Sequence, residues 1–399
     1  MWGGLLALTG CGSHPTPAPP SPQPNDPCRV ATESVGQLDT FRVALAEAVD
    51  LEHAPIPTND SERLLFRQLY RNLVRVDCAG EVHPELAEAW KFDSGGRIWT
   101  FTLKDTTIAS DGARLLAAHV LAAWRPRPTV LRDLGIDSVI ATGPRTLAVA
   151  VREREVSQPR LFAEPELAIV SVATVSPGSN ESFLERTASG LTVLDFVTVN
   201  GDPRDALDSG IDLLITRDIE LAEYAARIRD LQTFPLPWSR TYALVEPEGS
   251  EGLLTSLDSL RGPLARDAVK ADARPAQPIT CDRPVSQTTG AAVSQRIVYP
   301  AQDPVARGLA ERIVALNGTR PELRAQGLDQ ASFTPALRSG TERGYIVPLA
   351  RATDGSCPTE IAFPPGFSVQ SLIETRARAI VRRGSPELTV DWDGTPRLR

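Results

Sequence analysis

Apolar residues recur along the chain at two periods, and the alternation between them predicts an α/β protein. Leu65, Leu69 and Leu73 stand at i, i+4 and i+8 behind Asn59 and Asp60, either of which can cap a helix. The stretch from Arg97 to Lys104 alternates instead, with Trp99, Phe101 and Leu103 on one face of a strand and Ile98, Thr100 and Thr102 on the other. Ahead of both, Phe41 to Ala48 reads as a short apolar strand. Asp111-Gly112 marks a turn and Ala113 to Trp124 a second helix, while Val139 to Ala141 and Thr146 to Val151 form a hairpin through Gly143-Pro144.

The grammar changes near residue 190. Leu191 to Val199 is an apolar strand, Asp202-Pro203 starts a short helix, and Ile211 to Thr216 is a second strand, which together make a βαβ unit. Asp218 caps a helix over Ile219 to Ile228. Arg296 to Tyr299 followed by Asp303-Pro304 repeats the pattern, with Val305, Leu309, Ile313 and Leu316 striping a helix and Tyr345 to Leu349 as a later strand. Ala271 to Gly290, rich in Pro, Thr, Gln and Ser, reads as a surface loop.

Composition narrows the function classes. The 399 residues carry 42 Lys+Arg against 50 Asp+Glu, a formal net charge of −8, so no positive field exists to hold a phosphate backbone. No run approaches the roughly 18 apolar residues of a spanning helix. Nucleic-acid binding and integral membrane roles are both disfavoured.

The N-terminal MWGGLLALTGC ends its short apolar run in Leu8-Thr9-Gly10-Cys11, and resembles the bacterial lipoprotein signal, in which that cysteine receives lipid. No Lys or Arg precedes the run. Gly12 to Pro27 holds seven Pro and reads as an extended tether. Beyond Cys11 remain Cys28, Cys78, Cys281 and Cys357, an even number for an oxidising compartment. Three pairings are open, along with free buried thiols; Cys28 with Cys78 and Cys281 with Cys357 is favoured because each pair stays within one half of the chain. No close C-x-x-C spacing supports zinc.

Catalytic motifs are missing. No G-x-S-x-G elbow, phosphate-binding loop, H-E-x-x-H pair or strand-following G-x-G-x-x-G occurs, and the His residues at 14, 53, 83 and 119 read as ordinary positions. The reading is of a protein that is not an enzyme and needs no metal or organic cofactor. An unrecognised secreted hydrolase is the third and least favoured class.

One phrase carries a resemblance. Leu69-Tyr70-Arg71-Asn72-Leu73 leads to His83-Pro84-Glu85-Leu86-Ala87-Glu88-Ala89-Trp90, then Trp99-Thr100-Phe101-Thr102-Leu103, Ser110-Asp111-Gly112 and Ala117-Ala118-His119-Val120. This order resembles family 5 of the extracellular solute-binding proteins, the peptide, oligopeptide and nickel receptors of ABC importers. Weaker matches are Leu236 to Leu244, at the crossing between lobes, and the tail around Leu372 to Arg383 and Asp391-Trp392-Asp393-Gly394.

The resemblance implies a two-lobed, type II periplasmic-binding-protein-like α/β fold with a hairpin-rich subdomain inserted in lobe I. It places the signal and tether at 1–28, lobe I at 29–57, 171–245 and 365–399, the subdomain at 58–170 and a shortened lobe II at 246–364. The implied function is a lipid-anchored, monomeric receptor at the periplasmic or outer cell surface. It captures a peptide or similar solute by hinge closure and delivers it to a membrane permease. The alternative is a relative that no longer imports and serves as an envelope sensor or structural partner. Candidate ligand contacts are Trp238, Arg240 and Tyr242 on the crossing segment, with Arg217 and Asp218 at the end of the Ile211 to Thr216 strand, where α/β sheets present ligands.

Overall fold

Asn59 opens the first helix, Asp60–Leu69, by accepting from the Glu62 amide at 2.8 Å. The computed structural model of the chain describes residues 28–30, 40–93, 95, 97–109, 113–152, 159–170, 181–187, 190–247, 253, 272–277, 294–350 and 366–398. Cys11, Cys281, Cys357, the tether and the Ser110-Asp111-Gly112 turn lie outside these residues.

The leucine stripe does not run the length the spacing predicts. Tyr70 turns extended and, with Arg71, pairs antiparallel with Ile169–Val170. Leu65 therefore packs beside Phe41 and Phe196, while Leu73 joins a separate core around Trp99 and Phe101. That second core fills an antiparallel sheet ordered Ala87–Phe92, Ile98–Leu103, Thr146–Val151 and Ile136–Gly143, covered by the Ala117–Trp124 helix. Trp99, Phe101 and Leu103 point inward, as their alternation predicts. The helix begins at Ala117 rather than Ala113, because Ile108 and Arg114 form an antiparallel bridge ahead of it.

A ten-stranded sheet organises the rest. Gly190–Thr198 and Leu213–Thr216 both run parallel to Thr40–Leu45, which lies between them, so the βαβ unit closes around an earlier strand. Two long strands, Leu231–Pro247 and Phe367–Arg382, pair antiparallel along their length. On the far side Gly344–Ala350 pairs with Leu231–Pro247, followed by Arg296–Pro300 and Arg324–Leu328 in parallel. Asp303 caps the Pro304–Leu316 helix; Leu309 and Ile313 are buried but Leu316, expected on the same stripe, is 45% exposed. Within the expected loop after Ala271, Ala273–Pro275 adds a short strand to Phe367–Arg382.

Register gives the two halves a common direction. Thr216 lies opposite Arg378 and Leu213 opposite Val381, so the carboxyl end of that strand points to the middle of Phe367–Arg382. Ala350 lies opposite Arg240 and Tyr345 opposite Val245, so the other half points its carboxyl ends at the same middle. Helix N-termini that follow these strands must converge there.

Cys28 and Cys78 form a disulfide. It clasps Leu388–Val390, since the Val390 amide donates to Cys28 O and the Cys78 amide donates to Val390 O. Among the described residues no helix is long and apolar enough to cross a membrane.

Candidate functional site

The convergence point is a cluster of ion pairs built around Asp60. The amide nitrogens of Asp60 and Ser61 donate to Glu47 Oε2 at 2.7 and 3.2 Å, and Asn59 caps the helix. The Asp60 carboxylate is thereby free of capping and turns to three guanidiniums. Arg217 Nε donates to Oδ2 at 2.8 Å and Nη2 to Oδ1 at 3.3 Å, a two-pronged contact. Arg63 Nη1 donates to Oδ1 at 2.6 Å, and Arg240 Nη2 reaches the same oxygen at 3.4 Å.

Arg217 also donates to Thr375 Oγ1 at 3.2 Å and Ser239 Oγ at 3.1 Å, which ties the end of one half-sheet to both long strands. Arg240 extends to the other half. Its Nη1 donates to Asp303 Oδ2 at 3.4 Å, while Tyr242 Oη donates to the same carboxylate at 2.8 and 3.1 Å. Asp303 meanwhile accepts from the amides of Val305 and Ala306 as a helix cap.

Electrostatics follows from this crowding. Burial works to raise the Asp60 carboxyl, but Arg217, Arg240 and Arg63 outweigh it and hold its pKa far below the usual carboxylate range. Burial would lower Arg240, yet the Asp60 and Asp303 carboxylates raise it, so it remains a cation. Burial, with Asp303 beside it, pushes the Tyr242 phenol up, so it stays a neutral donor. Glu47 is raised chiefly by burial and next by Asp60.

The tail braces this centre. Arg67 Nη2 donates to Asp393 Oδ2 at 3.0 Å; burial raises that carboxyl, but Arg67 and Arg63 pull it down to about 2. Gly394 follows with φ of +81°, and an added Cβ would come within 3.3 Å of Ser239, so a side chain there would both strain the backbone and strike the long strand. A recess of about 10 Å³, lined by Asp60, Arg63, Arg217, Ser239, Asp393 and Thr395, remains between them. That is about the room one water needs, far below the roughly 300–1,000 Å³ of small-molecule sites.

Of the five residues expected from the sequence, Arg217, Arg240 and Tyr242 meet here, while Asp218 and Trp238 do not. Asp218 is exposed and accepts from the Glu220 and Leu221 amides as a helix cap. Trp238 stands two positions from Arg240 but on the opposite face. A bulge separates them, because Trp238 pairs with Arg376 and Arg240 with Thr375. On its own face Trp238 stacks with Arg274 and Arg376, whose guanidinium carbons lie 4.5 and 5.0 Å from the ring centre. Asp60, Arg63, Asp303, Thr375 and Asp393 were not anticipated as site residues. Asp60 and Asp303 carried a helix-cap signal only, and nothing local marks their partners. Among the described residues no group of three or more His, Cys, Asp or Glu could hold a metal ion.

Two α/β halves presenting their strand ends across shared long strands define a class, the two-lobed type II periplasmic-binding-protein fold, here with a curled half-barrel subdomain. NikA from Brucella suis, solved with Fe(III)-EDTA, superposes with a TM-score of 0.61 at 15% identity over 90% of this chain and 100% of its own. AgaA from A. tumefaciens R10, solved with agropinic acid, gives 0.64 at 13% over 86% and 93%. The murein tripeptide binding protein MppA of Escherichia coli gives 0.60 at 14% over 79% and 80%.

Sequence similarity is more local. The chain is 36% identical over 61 residues to the periplasmic murein peptide-binding protein MppA of Escherichia coli K12, or 15% of this chain and 11% of the relative. It is 28% identical over 124 residues to a Haemophilus influenzae binding protein, or 30% of this chain and 23% of the relative. These matches span less than a quarter of either relative's length. No family model matches.

Proposed function

We propose that the chain is the solute-binding component of an ABC importer of the peptide and nickel receptor family, held outside the cytoplasmic membrane by lipid on Cys11. The observation that carries this reading is the convergence of both half-sheets' carboxyl ends on the middle of the two long strands. That arrangement makes a crevice whose walls move relative to one another when the long strands flex. In this reading lobe I comprises 29–57, 171–245 and 365–399, with the subdomain at 58–170 and lobe II at 246–364. Arg217, Arg240 and Tyr242 form the crevice floor, Asp218 and Trp238 flank it, and a second disulfide joins Cys281 to Cys357. The ligand is a peptide or similar solute and the partner is a membrane permease.

Thermal unfolding against a library of di- to pentapeptides tests the reading. A ligand bound only by the native state stabilises it by about 2.7 kcal/mol at a hundred times its dissociation constant. A raised midpoint with some peptides is expected; a folded protein that responds to none loses the peptide assignment. A second reading, a relative that no longer imports, draws on one observation: Arg217, Arg240 and Asp303 are already paired within the chain.

A further inference from the structure

Arg240 occupies an unusual position among the charged groups of the long strands. It lies where Leu231–Pro247 passes from one half of the sheet to the other, opposite Thr375 on one side and Ala350 on the other. Its two terminal nitrogens are divided between carboxylates that belong to different halves. Asp60 heads the Asp60–Leu69 helix, which packs with the Thr40–Leu45 and Leu213–Thr216 strands. Asp303 heads the Pro304–Leu316 helix, which packs on Arg296–Pro300.

We propose that Asp60, Arg240 and Asp303 form a latch that holds the two lobes together in the absence of ligand. Each carboxylate is fixed to its own lobe by independent bonds. Asp60 is gripped by Arg217 and Arg63, and Asp303 by two backbone amides and Tyr242. Neither carboxylate can follow the other when the lobes part, so opening must lengthen at least one of the two 3.4 Å contacts of Arg240. The side chains of Asp60, Arg240 and Asp303 are only 10–11% exposed. Parted from Arg240, the Asp303 carboxylate is left with the neutral Tyr242 hydroxyl and two backbone amides, and this poorly solvated, uncompensated charge favours re-closure. The ligand-free protein is therefore populated mainly in the closed form, and a ligand acts by competing for the latch rather than by drawing open lobes together.

This inference rests on the two-lobed fold and on no particular ligand, so its test leaves peptides out. Small-angle X-ray scattering compares the full chain with Asp303→Asn, Arg240→Met and, as control, Asp218→Asn. Asparagine caps a helix about as well as aspartate, so Asp303→Asn keeps the Pro304–Leu316 helix while removing the charge that Arg240 meets. Asp218→Asn makes the same change on a cap outside the latch. The expected result is a radius of gyration larger by about 5% in both latch variants, near 1 Å on the ~21 Å of a compact chain of this length, and unchanged in the control. Natively folded Asp303→Asn with wild-type scattering would overturn the latch, as would a wild-type protein already as expanded as the variants. Should Arg240→Met fail to fold, Asp303→Asn alone decides. Failure of every peptide to stabilise the protein would count against the proposed function and leave this result standing.

Discussion

The subdomain and the junction between the lobes are both buried, yet they are held by opposite means. In the subdomain Phe101 meets Phe162 edge-on with ring centres 4.7 Å apart, Phe92 stacks on Trp99 at 4.3 Å, and Trp124 donates its indole proton to Leu167 O. At the junction the neighbours are charged: Asp60 with three arginines, and Asp303 with Arg240 and Tyr242. Apolar packing is non-directional and indifferent to protonation, so it suits a region that keeps one shape. Paired charges hold strongly in one arrangement and lose their compensation when displaced, which suits a place where two bodies meet and part.

The largest expected effect removes packing from the first region. Phe162→Ala should cost about 3–5 kcal/mol, read from the urea midpoint, because Phe162 is fully buried between Phe101 and Trp124. That loss should be the same at pH 7 and pH 4; a clear pH dependence would contradict the account of a dry, uncharged core.

A smaller and differently shaped loss is expected at the junction. Asp393 is held down to about 2 by Arg67 and Arg63 against the cost of its burial, so its contribution is present above the unfolded value near 4 and fades as pH falls toward 2. Asp393→Asn should cost about 2 kcal/mol at neutral pH, and the deficit should shrink across that acid window. Equal deficits at pH 7 and pH 2 would mean that Asp393 acts through shape rather than charge.

The smallest effect tests the other face of the long strands. Trp238→Leu should cost about 0.5–1 kcal/mol in denaturant unfolding, the scale of cation–π contacts to partly exposed arginines. A cost above 2 kcal/mol would show instead that Trp238 is part of the hinge's packing.

What could be read in advance follows the same division. The inward positions of Trp99, Phe101 and Leu103 are visible because a strand's alternation is local, and the caps at Asn59, Asp202, Asp218 and Asp303 because a cap acts within three residues. The pairing of Cys28 with Cys78 follows a simple proximity argument. The charge cluster is another matter. Asp60 lies 157 residues from Arg217 and 180 from Arg240, and no periodicity links them. Trp238 lies at the same two-residue spacing as Arg240 and Tyr242, yet one inserted residue puts it on the other face, which spacing alone does not reveal. The break of the leucine stripe at Tyr70 was likewise set by a partner strand a hundred residues away.

That inserted residue has a mechanical consequence. Register slips on Leu231–Pro247 fall between Pro235 and Trp238, between Trp238 and Arg240, and between Tyr242 and Ala243, while the pairing to either side runs in step. A ribbon of two strands resists bending wherever its rungs are intact and yields where they are missing. The pair of long strands is thus two stiff levers with a crease between them, and Arg240 sits in the crease. Rotation of one lobe should be concentrated into fewer than ten residues, so amide protons there should exchange fastest along an otherwise slow ribbon.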